Sequence, residues 1–203
     1  MGRIVSMGRV IATTEPGYVV GLDLSLRAAG ACAIPVGWDG MSLGRIRMAV
    51  FGGELKDPTE HQRLERMHGI AKGIAEFCRA LTPHGLAPVH VFVEQYAFSR
   101  GQAHSHLLGE CGGIVKYRLW RKLNLVAMPV INTSARKTLL GIIPKKDPVT
   151  KKAIKAKEIV WKNVRRLGGS ACEWTNDEVD AFVVANHGIM LLGGTPMSFP
   201  CEA

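Results

Sequence analysis

The chain lacks any uncharged apolar run of the roughly 18 residues that a membrane-spanning helix needs, so no such helix is expected. It lacks a C-x-x-C pair. The five cysteines (Cys32, Cys78, Cys111, Cys172 and Cys201) are scattered and odd in number, the pattern of reduced, structural thiols in a cytosolic-type compartment. There is no internal repeat. The opening MGRIVSMGRVIATTEPG carries basic residues but no continuous apolar core and no small-residue cleavage site, so no signal peptide is expected. A flexible arm, or a start at Met7, are the readings left for it. Acids are scarce beside bases: Asp+Glu 17 against Lys+Arg 26 gives a formal charge of +9. Such an excess argues for an anionic partner, most simply nucleic acid, against the alternative of charge that only aids solubility.

What is present is enough for one well-cored domain: 203 residues, 47% hydrophobic and 21% charged. The stretch Tyr18 to Ala33, YVVGLDLSLRAAGACA, organises the rest. In a strand, side chains alternate faces, so Leu22 and Leu24 share one face and Gly21, Asp23 and Ser25 the other. An acid flanked by small residues in a buried strand has room for a ligand beside it. An unpaired buried carboxylate is costly, so it should meet a cation, a proton or several donors. A strand-end Asp that merely caps a turn is the alternative.

Residues 29–38 read as a second strand, Asp39-Gly40 as a hairpin turn and residues 45–54 as a third strand, an antiparallel meander. From Pro58 the apolar period becomes helical, predicting an amphipathic helix from about Thr59 to Leu81 that Pro83 and Gly85 end. VHVFVEQ (89–95) is an almost continuous apolar run closing on Glu94, the pattern of a central strand covered on both faces. A helix is expected over Gln102 to Leu119 and a fifth strand over 125–131. The element order implies a mixed sheet with helices on its faces. Residues 144–166 are dense in Lys and Arg, with a helix expected from near Thr150. Lys145, Lys146, Lys151, Lys152, Lys155 and Lys157 are therefore candidates for phosphate contact, the alternative being a solvated basic face. Thr175 and Glu178 form a T-x-x-E capping box, so a last helix should open at about Asn176. Asp177 in its first turn is explained by the helix dipole alone. Asp180 is not, because its helical neighbours Val183, Val184, His187 and Leu191 form an apolar stripe.

Asp23, Glu94, Asp177 and Asp180 make one hypothesis. If the two acid-bearing strands are neighbours, all four carboxylates converge, repel one another and invite divalent cations. Hard oxygen donors in this number suit Mg²⁺ or Mn²⁺ rather than zinc. Two such ions activate a water and stabilise a leaving oxygen in nucleases.

GLDLSLRAAGACAI, VFVEQYAFSR and the closing NDEVDAF, in that order, resemble RuvC-type Holliday-junction resolvases of the RNase H-like superfamily, of a divergent or phage type. The resemblance runs from about Val19 to Gly188. It implies an RNase H-like three-layer α/β fold, a five-stranded mixed sheet with antiparallel first three strands and helices on both faces. It divides the chain into an N-terminal extension (1–17), a nuclease domain (18–194) and a C-terminal tail (195–203). It further implies two Mg²⁺ per active site, with Mn²⁺ able to substitute, held by Asp23, Glu94, Asp177 and Asp180. The implied activity is resolution of four-way junctions, with forks or flaps as related substrates, by a homodimer making paired nicks. The implied setting is the cytoplasm of a bacterial or phage-infected cell, with the DNA and away from membranes. Arg136, Lys137 and Lys157 occupy places comparable to those of the family's basic residues at the scissile phosphate, with neighbouring lysines as the alternatives. LLGECGG (107–113) resembles its dimer-interface helix, with close helix–sheet packing through Gly109 and Gly113 as the alternative. The family's aromatic wedge falls on Ala97 here. Its flanking Tyr96 and Phe98 are each open to base stacking or to a place in the core.

Two further readings compete. An inactive RNase H-like module would bind branched nucleic acid or a protein partner without needing all four acids. Actin-like and sugar-kinase proteins also open on a Gly-x-Asp strand, but they need a second domain that 203 residues leave little space for. His104 and His106, two apart on a helix, would not share a face and are not expected to hold a metal. His187 is expected as a partly buried helix residue.

Overall fold

Alternation along the first strand sets the two faces of the molecule. In Tyr18–Asp23 (β1), Val20 and Leu22 are buried on one side of the sheet and Val19 on the other. Gly21 and Asp23 follow Val19. The computed structural model describes residues 17–37, 45–53, 56, 58–82, 89–95, 105–141, 155–168 and 174–199. Within them the remaining strands are β2 (Ala28–Pro35), β3 (Arg47–Gly52), β4 (Val89–Glu94) and β5 (Ala127–Val130). The helices are α1 (Glu60–Ala80), α2 (Ser105–Leu123), α3 (Asn132–Leu140), α4 (Ala156–Gly168) and α5 (Asn176–Leu191).

The strands form one mixed sheet in the order β3-β2-β1-β4-β5. β1, β2 and β3 pair antiparallel, as the meander reading requires, while β4 joins β1 in parallel and β5 joins β4 in parallel. Val20, Leu22, Ala31, Val91 and Val93 pack under α1 and α2. Val19, Ile34 and Phe92 pack under α5, which α3 and α4 flank through Leu139, Leu140, Val160 and Val164. This is the three-layer, RNase H-like α/β arrangement expected.

Local chemistry accounts for most of the boundaries. Thr59 and Gln62 close a capping box at the start of α1. Asn124, with φ 53°, ends α2 in the left-handed conformation that Asn tolerates better than most residues, and its N–H donates to the Trp120 carbonyl. The helix thus runs four residues past the expected Leu119. The strand expected over 125–131 is confined to Ala127–Val130, because the chain turns at Ile131 into α3, a helix the periodicity did not announce. α4 opens at Ala156, directly after the non-helical Lys155. Thr150, the Asp39-Gly40 turn, Pro83 and Gly85 lie outside the described residues. So do Tyr96, Phe98 and His104, while His106 is exposed.

Close packing of α2 on the sheet through Gly109 and Gly113 is overturned. A Cβ at Gly109 or Gly113 would meet nothing within 4 Å. The buried stripe of α2 is Cys111, Val115 and Leu119. Cys32, Cys78 and Cys111 are free and buried, their thiols pushed up by burial. Among the described residues no helix is long and apolar enough to cross a membrane.

Candidate active site

Two acids leave the sheet side by side. Leu22 of β1 pairs in register with Val93 of β4, so Asp23 and Glu94, the next residues, end neighbouring parallel strands. Glu94 follows Phe92 on the face that α5 covers, and Asp23 follows Val19 and Gly21 on the same face.

Two glycines bring α5 to them. A Cβ at Gly21 would lie 2.9 Å from the Ala185 Cα, and one at Gly30 would run into the Asp177 carbonyl. Gly30 is the register partner of Asp23, so the start of α5 rests on bare backbone beside that acid. Thr175 caps α5, its N–H donating to Glu178 Oε2 at 2.7 Å while its hydroxyl accepts from the Glu178 N–H at 3.3 Å. The box commits Glu178 to the helix end and leaves Asp177 and Asp180 facing the strand ends.

Crowding shows in the electrostatics. The Asp23 carboxyl is pushed up to about 8, first by burial, then by the charges of Glu94 and Asp180, a hydrogen bond with Glu94 and the charge of Asp177. Asp177 is also raised, by burial first. Lys157 opposes that shift, and Asp180 and Glu178 add to it. Asp180, only 6% exposed, is met by two cations. Lys157 Nζ donates to its Oδ2, and Arg136 Nη2 lies 3.7 Å from its Oδ1. Glu94 instead accepts a hydrogen bond from the neutral side-chain amide of Asn132.

The donor set is chemically right for a hard divalent cation: four carboxylates, with no thiol or imidazole among them. Two of the four, Asp180 and Glu94, are at the same time engaged by other side chains. Among the described residues no group of three or more His, Cys, Asp or Glu side chains is arranged to hold a metal. Asp180 is engaged by Lys157 and Arg136, and Glu94 by Asn132 and Asp23.

The expected DNA-contacting residues divide. Arg136 and Lys157 reach the acids. Lys137 is exposed on α3. Lys155 turns back to its own helix, 2.8 Å from Glu158. Lys145, Lys146, Lys151 and Lys152 lie outside the described residues. Arg136 also has a buried Nε that finds no hydrogen-bond acceptor.

Asn132 was missed from the sequence. The available signal was Asn-Thr-Ser directly after an apolar strand, three helix-opening residues before the apolar spacing of Ala135 and Leu139. His187, expected as a helix residue, is 7% exposed and lies 2.6 Å from Thr138 Oγ1, joining α5 to α3 two residues beyond Arg136. Burial lowers its pKa.

No protein-family profile matches the chain, and no curated protein sequence does. Solved structures do. RuvC of Thermus thermophilus in complex with a Holliday-junction substrate matches at a TM-score of 0.55 and 14% identity, over 89% of this chain and 98% of that one. A second T. thermophilus RuvC structure matches at 0.54 and 18%, over 88% of this chain and 98% of that one. The likeness is distant in sequence and extensive in coverage, and it is a likeness of fold.

Proposed function

We propose that this chain, built on the fold of RuvC, is a structure-selective DNA endonuclease that cuts four-way junctions or related branched DNA with the help of divalent cations. The reading rests above all on the gathering of Asp23, Glu94, Asp177 and Asp180 at one end of β1, close enough that three of them raise the fourth. A chain of charge +9 accounts for such a site, because its substrate is a polyanion.

Asp23, Glu94, Asp177 and Asp180 would hold the cations, Mg²⁺ with Mn²⁺ able to substitute. When bound, such ions supply an activated water and the charge that stabilises a leaving phosphodiester oxygen. The chain's own residues do the rest. Gly21 and Gly30 let α5 carry its two acids against the strand ends. Arg136, its side chain 24% exposed beside Asp180, keeps a guanidinium at the site that can donate to a phosphate oxygen. Lys157, with a side chain 51% exposed, is free on one side to meet the DNA backbone. Paired nicks need two active sites, so the active form is a homodimer. The exposed face of α2, with Gly109, Gly113, Tyr117 and Trp120, offers a surface for it.

The test is cleavage of a labelled synthetic four-way junction with Mg²⁺, beside a fork, a linear duplex and Asp23→Asn. Symmetrical nicks on the junction, absent from the duplex and from the variant, are expected. Cutting of fork and junction alike would broaden the substrate to branched DNA in general. Near-wild-type nicking by Asp23→Asn would remove the four-acid assignment. A second reading draws on one observation: Asp180 is engaged by Lys157 and Arg136. An inactive module that binds branched DNA through the same basic residues would show tight binding independent of metal, and no nicks.

A further inference from the structure

The helix that follows β5 opens in an unusual place. Ile131-Asn132-Thr133-Ser134 contains three residues that cap helices well, yet the cap is Ile131, with extended φ −77° and ψ 121° and no side-chain capping bond. Opening one residue later would have placed Asn132 at the cap. As it stands, Asn132 is the first helical residue, and its amide reaches back to Glu94 Oε1.

The backbone makes that reach short. Glu94 pairs with Val130, and the Gln95 N–H donates to the Val130 carbonyl at 2.7 Å, so Asn132 lies two residues past the register partner of Glu94. We propose that Asn132 is a positioning residue that holds the Glu94 carboxylate toward Asp23, as a neutral donor that leaves this end of the site open to a divalent cation. The inference rests on the nuclease reading of the site. An amide N–H restrains a carboxylate without neutralising it, whereas a Lys or Arg in the same place would compete with a cation for it. The opposite end of the site shows the contrast, since Asp180 is held by Lys157 and Arg136. Partners one step removed from a metal typically change its affinity about 10–100-fold when removed.

The test measures Mn²⁺ binding by calorimetry on the full chain without DNA, together with the unfolding midpoint and junction binding in EDTA. Asn132→Ala is expected to weaken Mn²⁺ binding about 10-fold or more, with folding and metal-free DNA binding retained. Asn132→Lys is expected to weaken it further. Asn132→Gln, which keeps the donor, should recover part of the loss. Thr133→Ala, exposed on the same first turn, should leave Mn²⁺ binding unchanged and so separates positioning from a general effect on the helix end. Wild-type Mn²⁺ affinity in Asn132→Ala, or equal losses in Asn132→Ala and Thr133→Ala, would overturn the proposal. So would a wild-type protein that binds no Mn²⁺. A wild type that binds Mn²⁺ but cuts no DNA would instead sink the nuclease reading, while the affinity difference still decides on Asn132.

Discussion

Glu94 and Asp180 are carboxylates at the same end of one sheet, yet the first is held by the amide of Asn132 and the second by Lys157 and Arg136. The charge at the two ends is therefore balanced differently. On the α5 side, the protein's own cations offset Asp180. On the strand side, no Lys or Arg among the described residues pairs with Asp23 or Glu94, and a proton offsets the crowding by staying on Asp23 up to about pH 8. A proton is easily exchanged for a metal ion, whereas a lysine has to be moved aside. The comparison makes the strand ends the place where a cation would bind first.

The largest effect expected from this difference is on stability. The folded state keeps a proton on Asp23 up to about pH 8, while the unfolded chain loses it near 3.8. Between those values the folded form binds the extra proton, so stability falls as pH rises through the window. In EDTA the unfolding midpoint should drop by roughly 5–10 °C between pH 5 and pH 8, a change of a few kcal/mol. Mg²⁺ should reverse the drop and Asp23→Asn should flatten it. A midpoint that stays level in wild type would mean that Asp23 is ionised without a cation and that the two ends are alike. His187 works with the opposite sign: its lowered pKa contributes stability above about 6.5 that is lost as pH falls.

Lys157→Ala tests the other end. It frees Asp180 of its closest cation and should strengthen Mg²⁺ binding in the absence of DNA. It should also weaken junction binding and flatten the dependence of log K on log salt by about one unit. If Mg²⁺ and DNA affinity both fell, Lys157 would be a support for the site and not a competitor within it.

The smallest change concerns the joint between α3 and α5. Thr138→Val removes the partner of His187 and should cost about 1 kcal/mol in urea unfolding, with Mg²⁺ affinity unaltered. A loss of Mg²⁺ binding in that variant would show that the seating of α3 governs both ends together.

Much of this was legible in the chain because it is local. Period-two alternation placed Leu22 and Leu24 on the opposite face from Asp23, and it marked Glu94 as the end of a buried strand. The spacing of Thr175 and Glu178 located the start of α5 to the residue. What was missed has physical reasons as well. α3 has nine residues, about two and a half turns, too few for a helical period to stand out after the exposed Met128 and Pro129 of β5. Without that helix, nothing singled out Asn132.

The sequence alone determined which residues are acids, which strands and helices carry them and on which face, because those properties depend on neighbours a few positions apart. Only the tertiary structure decided the partners. Lys157 reaches Asp180 across 23 residues and Asn132 reaches Glu94 across 38, and such pairs form only when separate elements dock. Docking in turn depended on Gly21 and Gly30, whose missing side chains let the backbone of α5 lie against the sheet.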